Sequence, residues 1–183
     1  MAYQSDILLP SINSQVITPL SWQSIGVNLA AGAVAAPASA AWTSANRAYY
    51  IPFIITEVCT VKNMFWSNGT TPAGNADVGI YLDAGSGPGA KVVTLGATAT
   101  SGATRTQEGN VTDTTLMPGR YYFGVSQSAS GDAMQITVAG FDLAAVGVYI
   151  EAAAHPLPAT ATPTTAINLF ALPMVGLTLE SLV

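Results

Sequence analysis

Ten Asp and Glu residues, one histidine (His155) and one cysteine (Cys59) are the groups from which acid–base, nucleophilic or metal chemistry would have to be built in this chain. Paired acids come first. Asp77 and Asp83 fall on one face of a strand-like segment, but six residues of strand separate them by roughly 20 Å, against the about 5–9.5 Å that a glycosidase pair requires. Gly124-Val125-Ser126-Gln127-Ser128 lacks the closing glycine of a nucleophile elbow. His155 stands in a proline-rich run without an adjacent nucleophile, so a Ser-His-Asp set would have to be assembled from distant positions. Zinc would have to use His155 with carboxylates alone. Asn68, Asn75, Asp77 and Asp83 offer oxygens to calcium, without the spacing of a calcium loop. Gly85-Ser86-Gly87-Pro88-Gly89-Ala90-Lys91 lacks the Gly-Lys-Ser/Thr of a phosphate loop and reads as a turn before a strand at Val92–Leu95. The sequence therefore assigns no catalytic residue, no cofactor and no metal ligand, and the expectation is a non-enzymatic protein.

Aromatic residues allow two kinds of binding surface. Tyr49, Tyr50, Trp66, Tyr81, Tyr121 and Tyr122 lie in strand-like sequence, where sheet-face packing is their commoner role. The alternative is a sugar-stacking surface, with Trp66, Asn68 and Tyr81 as the glycan contacts. Trp22 and Trp42, together with Arg47 and Phe170, are the candidates for a subunit interface, since buried aromatic and arginine anchors are what a docking arm needs.

Composition points towards assembly. Five Lys or Arg and ten Asp or Glu make 8% of 183 residues, while 50% are hydrophobic; ordinary soluble domains carry about a quarter charged residues. A surface so poor in charge is one that other protein covers. The net charge of −5 and the scatter of Lys62, Lys91, Arg47, Arg105 and Arg120 exclude a phosphate-tracking stripe, so nucleic acid is not an expected partner. The apolar stretches 29–41 and 166–183 are broken by Gly32 and Pro37, and by Asn168, Pro173 and Glu180, and are expected neither to span nor to insert into a membrane. Residues 1–6 carry no secretory pattern, and a lone cysteine gives no disulfide framework, so a reducing cytoplasm is the expected place of synthesis. Cys59 reads as a small buried hydrophobe, and the sequons at Asn68 and Asn110 as turn residues.

Four regions follow along the chain. Residues 1–46 read as an extended arm, with prolines at 10, 19 and 37, β-prone pieces at Gln15–Thr18 and Ser24–Leu29, and a weak helical stretch over Ala30–Ala36. Residues 47–154 read as a β-sandwich domain. Tyr49–Thr56 is apolar on both faces, and Val78-Ile80-Leu82, Tyr121-Phe123-Val125 and Met134-Ile136-Val138 alternate with period two. Turn sequences separate them, and no amphipathic helix intervenes, which predicts an all-β, antiparallel, jelly-roll-like sandwich. Phe141–Ala154 is read as a strand through Ile150. Residues 155–165 form a proline-rich connector, and 166–183 a C-terminal strand segment free to complete its own sheet or a neighbour's.

The runs Ala45–Phe53 (ANRAYYIPF), Gly74–Tyr81 (GNADVGIY) and Thr112–Tyr122 (TDTTLMPGRYY) resemble small β-sandwich virion structural proteins of tailed bacteriophages, over roughly residues 45–140. The resemblance implies a capsid decoration or cement protein, or a tail component. It implies a homo-oligomer contacting other virion proteins, the major capsid protein first among them, and located in the virion after assembly in the host bacterial cytoplasm. A tail or fibre module that recognises host-surface glycans is the alternative.

Overall fold

A computed structural model describes residues 15–17, 38–130, 132–137, 147–163 and 171–181. Trp22, Phe170, Ser24–Leu29 and Ala30–Ala36 lie outside the described residues, as does most of the Phe141–Ile150 strand. The described residues contain thirteen strands and no helix. In chain order these are β1 (Gln15–Ile17), β2 (Ala38–Ala41), β3 (Arg47–Ile55), β4 (Cys59–Ser67), β5 (Asn75–Asp83), β6 (Pro88–Thr94), β7 (Thr98–Ala99), β8 (Thr106–Leu116), β9 (Gly119–Gln127), β10 (Asp132–Thr137), β11 (Tyr149–Glu151), β12 (Ala171–Pro173) and β13 (Val175–Ser181). All pairings are antiparallel.

One sheet has the order β1-β13-β4-β8, a second β11-β3-β9-β5-β6 with β7 beside β5, and a small third one β12-β10-β2. The frame is a long ribbon. Strands β3 and β9 run in register from Arg47↔Gln127 to Ile55↔Gly119, and β4 and β8 continue from Cys59↔Leu116 to Ser67↔Thr106. Both chains of the ribbon cross from one sheet to the other at the same level, through Thr56–Val58 and Met117-Pro118. The chain bends at Pro118 between β8 and β9. Pro52 sits within β3 at a point where β11, which pairs only Ala48–Tyr50, has ended, so the missing N–H falls on an edge.

The two larger sheets share one core. Ile51, Phe53 and Phe123 of the second sheet are buried with Val61, Met64, Trp66, Leu116, Val175 and Leu177 of the first. Phe53 stacks on Phe123 with ring centroids 4.2 Å apart. Strand β13 is part of this core in its own chain, paired with β4 from Val175↔Trp66 to Ser181↔Cys59. The C-terminal strand thus completes the sheet of its own body.

The second sheet is buried on both faces, which explains why β3 reads apolar on both sides. Its outer face carries Ala48, Tyr50, Tyr81 and Tyr122, and these are covered by Ala154, Leu157 and Ala161. Residues 152–163, which include most of the stretch 155–165 read as a proline-rich connector, form a strap laid across the sheet; its His155–Pro156 peptide is cis. Parts of the stretch 1–46 read as an arm are paired with the body. β2 pairs with β10, and Trp42 is buried edge-on against Tyr49 at 4.7 Å.

Candidate functional site

Polar and titratable side chains are grouped between the strap and the outer face of the second sheet. Glu151, at the end of β11, accepts the phenolic proton of Tyr50 at 2.6 Å, the Thr162 amide at 3.0 Å and the Thr162 hydroxyl at 2.8 Å. Asp77, on β5, is 1% exposed and accepts the Leu157 amide at 3.0 Å and the Thr94 hydroxyl. Tyr81 donates to the Pro158 carbonyl at 2.6 Å, and Lys91 Nζ to the Leu157 carbonyl at 2.7 Å. Backbone bonds add to this, from Lys91 N to Ala159 O and from Ala161 N to Gly89 O.

Two glycines make room for the cover. A Cβ on Gly124 would stand 2.6 Å from Tyr81 Cε2, and one on Gly79 2.8 Å from the Val93 carbonyl. The Tyr81 ring lies over this glycine floor, edge-on to Tyr50 at 5.1 Å. Burial pushes the phenols of Tyr50 and Tyr81 well above the ordinary tyrosine range, and that of Tyr122 up to about 12. All three are neutral throughout the physiological range, and Tyr50 and Tyr81 donate their phenolic protons.

Ser126 and His155 meet here, with Oγ and Nδ1 3.0 Å apart. Asp77 is the cross-strand neighbour of Ser126, which brings serine, histidine and aspartate together. The geometry is that of a tether. The Asp77 oxygens hold Leu157 and Thr94, whereas a triad requires the carboxylate to orient the imidazole. Ser126 has no exposure to solvent. Burial lowers the His155 pKa, partly opposed by the charge of Asp77. Asp83, the other acid of the pair weighed from sequence, faces Arg120 at 3.8 Å. Among the described residues no group of three or more His, Cys, Asp or Glu can hold a metal ion, and none of them forms a helix long and apolar enough to cross a membrane.

A second polar cluster closes the loop between β7 and β8. Asn68 is fully buried; its Oδ1 accepts from Trp66 Nε1 at 2.9 Å, and its Nδ2 donates to Ser101 O at 2.8 Å and Gln107 Oε1 at 2.6 Å. The sequence-predicted glycan contacts Trp66 and Asn68 do meet, but inside the body, and Tyr81 is buried beneath the strap. None of the three offers a face for a sugar to stack on. Of the sequon asparagines, Asn68 is this interior hub, and Asn110 lies in strand β8, its amide donating to Lys62 O at 3.1 Å.

Of the interface candidates, Trp42 is covered by its own chain and donates to the Arg47 carbonyl at 3.1 Å. Arg47 reaches Thr43 Oγ1 at 3.1 Å through Nη1. The strap anchors Tyr50, Asp77 and Glu151 were not grouped by sequence reasoning, because their contacts join segments 80 and 101 positions apart. The one usable signal is the doubly apolar β3, which demands a cover for its second face.

Comparison with protein-family models, curated proteins and solved structures finds no significant match to this chain.

Proposed function

We propose that this chain is a non-enzymatic structural protein of a bacteriophage virion, a capsid decoration or cement protein that stabilises the particle through contacts with the major capsid protein and with its own copies. The observation that carries the reading is the pairing of a body whose buried Tyr50, Asn68, Asp77 and Glu151 side chains are engaged in internal bonds with a sequence that has fifteen charged residues, five basic and ten acidic. Groups used this way hold a rigid shape, and a surface poor in charge suits permanent contact with other protein. The resemblance of residues 45–140 to phage sandwich proteins points the same way. In this reading the body is jelly-roll-like, its β3–β4/β8–β9 ribbon folded between two sheets, and residues 1–37 are the particle-binding arm.

The test is particle decoration. Purified protein added to phage heads that lack it should co-sediment with them and raise their resistance to heat. A chain lacking residues 1–37 should keep its folded body and fail to bind. Undiminished binding by that truncated chain, or no binding by the full chain, defeats the proposal.

A further inference from the structure

The two strands at the β13 end of the first sheet differ in how they are held. β13 pairs with β4 over its whole length and buries Val175, Leu177 and Leu179 in the core. β1 contributes three pairs at the outer edge, Gln15↔Leu179, Val16↔Thr178 and Ile17↔Leu177. An element that can change partners must be peripheral and separately tethered, which singles out β1 and not the C-terminal strand.

The tether is long. Twenty residues, 18–37, separate the end of β1 from the start of β2, and extended they reach up to about 70 Å. A body of this size has a radius of gyration near 15 Å, so the tether reaches past its own body to a neighbour's. Residues 1–37 contain a single charged side chain, Asp6, which leaves little repulsion to oppose close approach of copies. The three pairs form identically whichever copy supplies β1. The choice then rests on concentration: a tether of this length gives its own edge an effective concentration of order millimolar, and copies held side by side on a particle match it. Each exchanged strand also links two bodies.

We propose that β1 of one copy pairs with β13 of a second copy of this chain, each copy giving one strand and receiving one. The inference rests on the assembly reading above and names its partner.

The experiment uses the full chain with Cys59→Ala, Val16→Cys and Thr178→Cys, at about millimolar protein, where neighbouring copies compete with the chain's own edge. Directly paired strand positions have Cα separations of about 4.5–5.5 Å, which a disulfide accommodates. Thr178 lies between the core residues Leu177 and Leu179 and faces outward, where its hydroxyl accepts from Asn63. After mild oxidation, a denaturing non-reducing gel should show covalent dimers and larger species that collapse on reduction. The single-cysteine chains should not give the larger species. A cross-linked monomer alone, or no disulfide in a folded chain, overturns the proposal. Light scattering at the same about millimolar concentration gives a second reading: the unsubstituted chain should be multimeric, and deletion of residues 1–17 should reduce its mass. A monomeric full chain, or a mass unchanged by deletion, overturns it as well. Cross-linked multimers that fail to decorate heads would sink the virion role and leave strand exchange standing; decoration by a chain cross-linked only within itself would do the reverse.

Discussion

Tyr50 Oη stands 2.6 Å from a Glu151 carboxylate oxygen although 101 positions separate the two residues. The pair fastens β11 and the strap to the centre of the second sheet, because the same carboxylate also holds Thr162. Tyr50→Phe should keep the fold and cost about 1.5–3 kcal/mol in urea unfolding, the range for a hydrogen bond to a charged group. Glu151→Ala should lose more and should open the strap to proteolysis around residues 155–163. Equal protease resistance in the wild type and Glu151→Ala would show that Asp77, Tyr81, Lys91 and the apolar contacts hold the strap without Glu151.

His155 ties stability to pH. Its folded pKa is lowered by burial, so the unfolded chain takes up the proton first. Stability from this group is complete above the unfolded histidine value of about 6.5 and is lost as pH falls below it. The effect is modest, because solvent screens a partly exposed ring. His155→Gln should flatten the decline in Tm between pH 7 and pH 5.5 relative to the wild type. Parallel curves would refute the assignment.

Gly124 should tolerate no side chain. A methyl group there would meet the Tyr81 ring at 2.6 Å and Leu157 at 3.3 Å, and the ring has the sheet on one side and the strap on the other. Gly124→Ala should cost about 1–3 kcal/mol through overpacking. Gly96, whose added Cβ would meet nothing within 4 Å but whose φ is +76°, is the contrasting site: Gly96→Asn should be nearly neutral, since asparagine accepts that backbone.

Asn68→Ala should strip Trp66 Nε1 and Gln107 of their shared partner and cost about 1–3 kcal/mol. Amide exchange should accelerate in residues 99–106, and Trp66 fluorescence should shift to the red as water enters. Protection that stays unchanged in that loop would remove Asn68 from its role.

Cys59 is buried at the start of β4, and burial raises its thiol pKa. An alkylating reagent should label it only in denaturant. Labelling of the native protein at a rate like that of a free thiol would contradict its placement.

Strands β5 and β9 were legible because their apolar residues recur with the period of a strand, and β3 because it is a short apolar run buried on both faces. β8 was not. Its sequence, Thr-Gln-Glu-Gly-Asn-Val-Thr-Asp-Thr-Thr-Leu, buries only Val111 and Leu116, so composition reads as loop where pairing with β4 makes an edge strand. β2, Ala-Ser-Ala-Ala, carries no β-branched residue and owes its strand to β10. The strap was hidden for a different reason. Proline-rich sequence is locally extended whether it hangs in solvent or lies on a sheet, and only distant residues such as Asp77 and Lys91 decide between them. Trp66 and Tyr81 were open to a binding role for the same reason, since an aromatic residue on a strand does not reveal whether its face is already covered.

The strap does more than cover tyrosines. Ala159–Ala161 lie along Gly89–Lys91 of β6, so that border of the second sheet is already paired, while the opposite border is the three-residue β11. A protein with so few charges cannot depend on Coulomb repulsion to keep its sheets from adding to one another without limit. Here the safeguard on the β6 side is topological: the chain hems that border itself, so a second copy finds no open edge there to extend into a fibre.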